Sequence, residues 1–228
     1  MEIPTPPVGP TTNQQLPTTT RQTPQNMSTI IGITNKHGAC IAADGRISSI
    51  DQDGYTTQIN TLPKNQTKVI KNNGWIIGTS GDLRAINLLQ HAHKPTKPPT
   101  HNNIEKHIIT KFIPELRNTF DTHGYSLPQR EQSTHVAEHS STILIAAKGQ
   151  IFCIDGDYSV LTEQLGIYAI GSGAQYALGH LYTLRHTIPN LKLNQLEQTC
   201  IGALETAAHW DPHTGPPYTT HTQTRNPK

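Results

Sequence analysis

Three residues of different chemistry sit at the ends of segments that read as β-strands. Ser28 opens Ser28-Thr-Ile-Ile-Gly-Ile-Thr34, Asp44 follows Ala39-Cys-Ile-Ala-Ala43, and Lys68 opens Lys68-Val-Ile-Lys71. Antiparallel pairing of the first two strands brings Ser28 and Asp44 to one end of a sheet. A third strand starting at that end adds Lys68. A hydroxyl, a carboxylate and an ammonium together could serve nucleophilic catalysis, because a serine hydroxyl attacks only with a base beside it. The plain alternative is a surface serine next to an ordinary ion pair. These three residues alone do not decide between the two.

Three other stretches invite a chemical reading, and each has a structural one. Gly171-Ser-Gly173-Ala-Gln-Tyr176 begins like a dinucleotide fingerprint, but Tyr176 stands where the third glycine belongs. On its own it is a tight strand-to-helix turn. His91-Ala-His93 has the look of a metal pair, yet residues two apart on a helix face different ways and no third ligand has suitable spacing. Asp211-Pro-His-Thr214-Gly215 reads as a helix exit with an Asx-type turn.

The elements that must position these residues follow from pattern. Two hairpins come first, 28–34 with 39–43 and 68–71 with 75–78, the second turning through Asn72-Asn-Gly74, which suits positive φ. The stretch 45–64 between them is polar. Helical spacing predicts helices over 82–93 and 104–120, with Pro114 a kink in the second. Strands resume at 141–147, 150–154 and 168–170, and helices over 175–186 and 193–208 close the domain. Two helix pairs separated by strands predict an α+β fold with sheets between helical layers. Residues 1–26 are rich in Pro, Thr and Gln with Glu2 and Arg21 as the only charges, so they read as an extension or propeptide outside the core. The tail from Asp211 has few apolar residues.

Composition excludes several classes. The 228 residues suit one large domain or two small ones, with a net charge of +2 and no basic stripe of the kind that phosphate contacts require. Cys40, Cys153 and Cys200 lack Cys-x-x-Cys spacing, which predicts free, buried thiols in a reducing compartment. No apolar run spans a bilayer, and the N-terminus lacks a signal-peptide layout. The expectation is a soluble cytoplasmic protein with neither nucleic acid nor membrane as partner.

Taken in order, Ser28-Thr-Ile-Ile-Gly-Ile, Ile41-Ala-Ala-Asp-Gly-Arg46, Thr67-Lys-Val-Ile and Gly78-Thr-Ser-Gly81 resemble the proteasome β-subunit group of N-terminal nucleophile hydrolases. Ala169-Ile-Gly-Ser-Gly-Ala-Gln-Tyr-Ala177 is most similar to the HslV-type peptidases, and Asp211-Pro-His-Thr214-Gly215 resembles the Asp-x-x-Ser-Gly of proteasome β subunits. The match covers about residues 28–215, leaving 1–27 as extension or propeptide and 216–228 as a polar C-terminal tail.

The resemblance implies a four-layer αββα sandwich and threonine-type endopeptidase chemistry with Ser28 in the nucleophile's place. It puts Asp44 and Lys68 beside the nucleophile, and the Gly81 N–H at the oxyanion. Ser172, Asp211 and Thr214 would support the nucleophile's amine. Ser48 matches a position that holds substrate backbone, and Ile47 and Thr79 match specificity-pocket positions. A free α-amine titrates at about 7.7–8.0, so the nucleophile's own residue can supply the base, and a Lys68 cation nearby would lower that value further. The mechanism needs a free amine on Ser28, so residues 1–27 must be removed. Self-cleavage is one route; translation from Met27 followed by loss of that methionine is the other. The implied partners are protein or peptide substrates, copies of the same chain in a ring, and an ATPase unfoldase. No metal or organic cofactor is implied. The alternatives are a non-catalytic ring subunit of the same fold, and an amidase acting on a small molecule.

Overall fold

The computed structural model describes residues 27–50, 55–100, 103–126 and 139–225. In chain order the strands are β1 Thr29–Thr34, β2 Gly38–Ala43, β3 Arg46–Ile50, β4 Thr56–Thr61, β5 Val69–Asn72 and β6 Trp75–Ser80. The helices α1 Leu83–His91, α2 Ile104–His107 and α3 Ile113–Thr122 follow. The chain continues through β7 Thr142–Ala147, β8 Gln150–Ile154, β9 Val160–Leu161 and β10 Ile167–Gly171. It closes with α4 Ala174–Thr183, α5 Leu193–Trp210 and β11 Thr219–Thr224. The proposed extension at 1–26 lies outside the described residues.

Two sheets form the centre. One has the order β10-β1-β2-β11 and the other β5-β6-β7-β8-β9, with all neighbours antiparallel. Alternation along each strand assigns the side chains to layers. Ile30, Ala39, Ile41 and Ala43 meet Val69, Ile76, Leu144 and Ala146 between the sheets. Ile31, Ile33, Cys40 and Ala42 face the other way, onto Leu181, Leu196, Cys200 and Leu204 of α4 and α5. On the opposite side Trp75, Ile77, Ile143 and Ile145 meet Leu89, Phe112, Leu116 and Phe120. Strands buried on both faces read as near-continuous apolar runs, which explains Ile30-Ile-Gly-Ile33 and Ile143-Leu-Ile-Ala-Ala147. The layers are therefore helix, sheet, sheet, helix, as the sequence predicts.

Local signals hold where they carry a mechanism. Asn73 and Gly74 both have positive φ, 46° and 89°, in the β5–β6 hairpin. Asp82 caps α1, its side chain accepting from Arg84 N. The kink expected at Pro114 takes the form of a π-turn over Ile108–Phe112, which joins α2 to α3. Proline has no N–H to give the preceding turn, and the widened turn absorbs that loss.

Three differences from the sequence reading stand out. The polar stretch 45–64 contains a ribbon of β3 and β4, and β9 adds a two-residue strand. The polar tail, set at 216–228 outside the domain, supplies β11, which pairs along β2 from Thr219↔Ala43 to Thr224↔Gly38. Its side chains are Thr, His and Gln, so no apolar alternation announces it.

Two histidines are part of this core. His91 is exposed at the end of α1, while His93 is buried and stands edge-on to Phe112, so the two side chains share no site. Thr119 Oγ1 donates to Glu115 O, which leaves His93 Nδ1–H to donate to Thr119 Oγ1 at 3.1 Å. His139 packs edge-on to Phe120 and Tyr158. Burial lowers both imidazoles to about 4 from the ordinary 6.5. Below 6.5 the unfolded chain binds protons that the folded chain refuses, so stability is full above that value and falls as the pH drops toward 4. Urea unfolding at pH 7 and pH 5 should show this loss, at most about 3 kcal/mol per histidine at the acid end. His93→Phe should flatten the slope.

Glycines supply a second test. A Cβ at Gly78 would lie 2.8 Å from Ile30 Cγ2 and 2.9 Å from Ile41 Cγ2, between the sheets. Gly179, within α4, has nothing within 4 Å of its added Cβ. Gly78→Ala should cost about 1–3 kcal/mol by overpacking, whereas Gly179→Ala should gain up to ~1 kcal/mol of helix propensity, both read from denaturant midpoints.

Candidate active site

The pairing Ile30↔Ala43 sets Thr29 opposite Asp44 at one end of the central sheet. Asp44 N donates to Thr29 O at 3.2 Å, and Thr29 N donates to Asp44 Oδ1 at 2.8 Å. The same Oδ1 accepts Lys68 Nζ at 2.6 Å, while Oδ2 accepts Arg46 N at 3.0 Å and Gly215 N at 3.2 Å. Four donors from four chain segments therefore converge on one buried carboxylate. Lys68 enters just before β5, and its ammonium also donates to Arg46 O. Burial pulls the Lys68 ammonium below its ordinary range, and Asp44 opposes that pull.

A second network faces the first across β1. Asp211 ends α5, its N–H donating to Ala207 O at 2.8 Å. Its Oδ2 accepts Ser172 Oγ at 2.7 Å and Thr214 Oγ1 at 2.6 Å, and its Oδ1 accepts His213 N at 3.1 Å. Ser172 follows β10 and donates its backbone N–H to Ser28 O at 3.0 Å. Between them Gly171 has φ +95°, and a Cβ there would lie 1.7 Å from Ser28 O and 2.6 Å from Ser80 Oγ. Only glycine permits that approach.

Ser28 itself is 1% exposed, and its hydroxyl has no hydrogen-bond partner among the described residues. Ser48 Oγ and Thr79 Oγ1 are also buried and, among the described residues, unpartnered. Leaving a buried hydroxyl unpaired costs about 1–3 kcal/mol, so such groups stand out in a folded chain. Ser48 reaches the site through its backbone, its carbonyl accepting Met27 N at 3.4 Å. Thr79 does so through its N–H, which donates to Lys68 O at 3.0 Å. Ile47 is buried on β3 between Arg46 and Ser48. Gly81 leaves β6 at φ +115°, where a Cβ would meet Ser140 O at 2.7 Å. Among the described contacts none joins Gly81 or Ile47 directly to Ser28.

Two participants lie outside the set chosen from sequence. Arg46 lends its carbonyl to Lys68, and its Nη1 donates to Pro212 O at 2.6 Å. Thr29 bridges the two networks through its N–H and its hydroxyl. The run Asp44-Gly-Arg46 carried the signal for Arg46. For Thr29 the only hint was a hydroxyl residue between Ser28 and a string of isoleucines.

This architecture, with a polar cluster at one end of its central sheets, is a four-layer αββα sandwich of proteasome-like fold. Among solved structures it matches BPH from Thiobacillus denitrificans, with a TM-score of 0.67 at 19% identity over 87% of this chain and 100% of that one. It also matches HslV from Trypanosoma brucei, with a TM-score of 0.53 at 16% identity over 85% of this chain and 98% of that one. Anbu from Hyphomicrobium sp. strain MC1 matches with a TM-score of 0.58 at 12% identity over 86% of this chain and 82% of that one. No family model and no curated protein matches the sequence. The likeness to HslV-type peptidases read from the motifs is thus borne out in the fold. Among the described residues, no helix is long and apolar enough to cross a membrane.

The donor counts order the effects of substitution. Asp44→Ala strands a buried ammonium and three backbone N–H groups, whereas Lys68→Met leaves the carboxylate with its three backbone donors. Asp44→Ala should therefore destabilise by about 3–5 kcal/mol, and Lys68→Met by clearly less. Thermal unfolding of the two variants checks the order.

Proposed function

We propose that this chain is an endopeptidase subunit of proteasome-like type, using Ser28 as an N-terminal nucleophile inside a ring of like subunits. The observation that carries this reading is the unpartnered, buried Ser28 hydroxyl flanked by two hydrogen-bonded networks in a proteasome-like fold. The unit begins at Ser28 and includes β11.

In the proposed reaction the Ser28 amine takes the proton of its own hydroxyl as Oγ attacks the substrate carbonyl. The paired Lys68 cation keeps the amine's pKa low, so the amine is free to act as base near neutrality. Ser172 Oγ, held on Asp211, orients the amine. The Gly81 N–H stabilises the tetrahedral oxyanion, a contribution of about 2.7–4 kcal/mol for one such donor. Collapse transfers the proton to the leaving amine and leaves an ester on Ser28, which water hydrolyses with the same amine as base. Ser48 pairs with substrate backbone, and Ile47 and Thr79 line the pocket for its side chain. Cytoplasmic location and an ATPase unfoldase as partner belong to the same reading.

The chemistry requires a free amine, and in the encoded chain the Ser28 nitrogen is acylated by Met27. A non-catalytic ring subunit is the second reading, favoured by one contact: Met27 N bonds to Ser48 O and so occupies the position assigned to substrate backbone. Intact mass and N-terminal sequencing of the native protein separate the two. A chain starting at Ser28 that hydrolyses peptides and gains the mass of epoxomicin, the ligand in the BPH complex, supports the peptidase. Retention of Met27 with no adduct supports the structural subunit. Ser28→Ala should lower kcat by roughly 10³ or more while ring assembly, measured by light scattering, is kept.

A further inference from the structure

The hydroxyl of Thr29 makes two contacts, and their directions can be assigned from the partners. Gly173 N can only donate, so Thr29 Oγ1 accepts it, at 2.9 Å. Thr214 Oγ1 gives its one proton to the Asp211 carboxylate at 2.6 Å. The remaining contact, Thr29 Oγ1 to Thr214 Oγ1 at 2.6 Å, then has Thr29 as its donor. The chain runs one way, from Gly173 through Thr29 and Thr214 to Asp211. Ser172 Oγ spends its own proton on the same carboxylate oxygen, at 2.7 Å, and is left with lone pairs only.

We infer that Thr29 is a positioning residue for the nucleophile. Its hydroxyl holds Thr214 as a donor to Asp211, and Asp211 in turn holds Ser172 Oγ as an acceptor for the Ser28 amine. The same residue donates its N–H to Asp44 Oδ1, so one side chain and its backbone tie both networks to the residue next to Ser28. Both Thr29 and Thr214 are fully buried, so no water stands ready to replace either partner.

The role rests on the peptidase reading, because it acts through the Ser28 amine. Without the Thr29 proton, the Thr214 oxygen has no donor and its hydroxyl can turn away from Asp211. Asp211 then carries less dispersed charge, which favours the protonated form of the neighbouring amine. That moves the acid limb of the pH–rate profile to higher pH.

The test is steady-state peptide hydrolysis across pH by the mature protein and by Thr29→Val and Thr29→Ser. Thr29→Val is expected to lower kcat about tenfold with KM little changed and the acid limb displaced upward, with Thr29→Ser restoring both. Wild-type kcat and an unmoved limb in Thr29→Val overturn the inference. Equal impairment of Thr29→Ser also overturns it, since the methyl and not the hydroxyl would then matter. Where Thr29→Val fails to fold, Thr29→Ala removes the same hydroxyl without adding a methyl and is read in the same way. An inactive wild type with a free Ser28 amine takes down the peptidase reading and this role with it, whereas an active wild type matched by Thr29→Val takes down this role alone.

Discussion

The buried pair of Asp44 and Lys68 is the contact on which the rest of this site depends. A carboxylate and an ammonium taken out of water together gain little net stability over an apolar pair of the same size. The return is in geometry. Asp44 can be satisfied only if the start of β1, the turn after β2, the approach to β5 and the loop beyond α5 all arrive with their donors in place. One side chain therefore draws four separate stretches of chain into a single end of the sandwich. A shift in any of them leaves a buried charge or a backbone N–H without a partner.

The layers make that convergence rigid. Two apolar interfaces, sheet to helix and sheet to sheet, clamp β1 and β2 from both faces. Thr29 and Asp44 sit where those strands emerge at the sheet end. The second network is anchored to α5 through Asp211 and to β10 through Ser172, so it moves with the helical layer. Ser28 lies between two anchors that belong to different layers. Its carbonyl is held by Ser172 N, and its hydroxyl is left unpaired. The carboxylates and the ammonium around it are committed to one another and to backbone groups, which leaves that hydroxyl available.

Legibility in the sequence followed burial. Strands packed on both faces, such as β1 and β7, announced themselves by β-branched runs, and the Asn-Gly turn by its need for positive φ. The ribbon of β3 and β4 did not, because β4 is exposed along its whole length and so carries polar residues without alternation. β11 escaped for a related reason. It is an edge strand of Thr, His and Gln, held by the ladder of β2 rather than by an apolar face of its own. At Pro114 the sequence indicated that the helix must yield, and the fold decided that it widens into a π-turn instead of breaking.

The residue types at the site were readable one motif at a time, since Ser28, Asp44, Lys68, Ser172, Asp211 and Thr214 each stand in a recognisable local run. Propensity and pattern act over a few residues, and the sequence by itself determined the apolar strands, the helices and the chemical groups they carry. Which group donates to which was decided only in three dimensions. The contacts that settle it join residues 15, 24, 171 and 185 positions apart. A hydrogen bond depends on ångström distances between atoms that only the packed layers bring together. That is why the proton direction through Thr29 and the carbonyl of Arg46 could not be seen before the chain was folded.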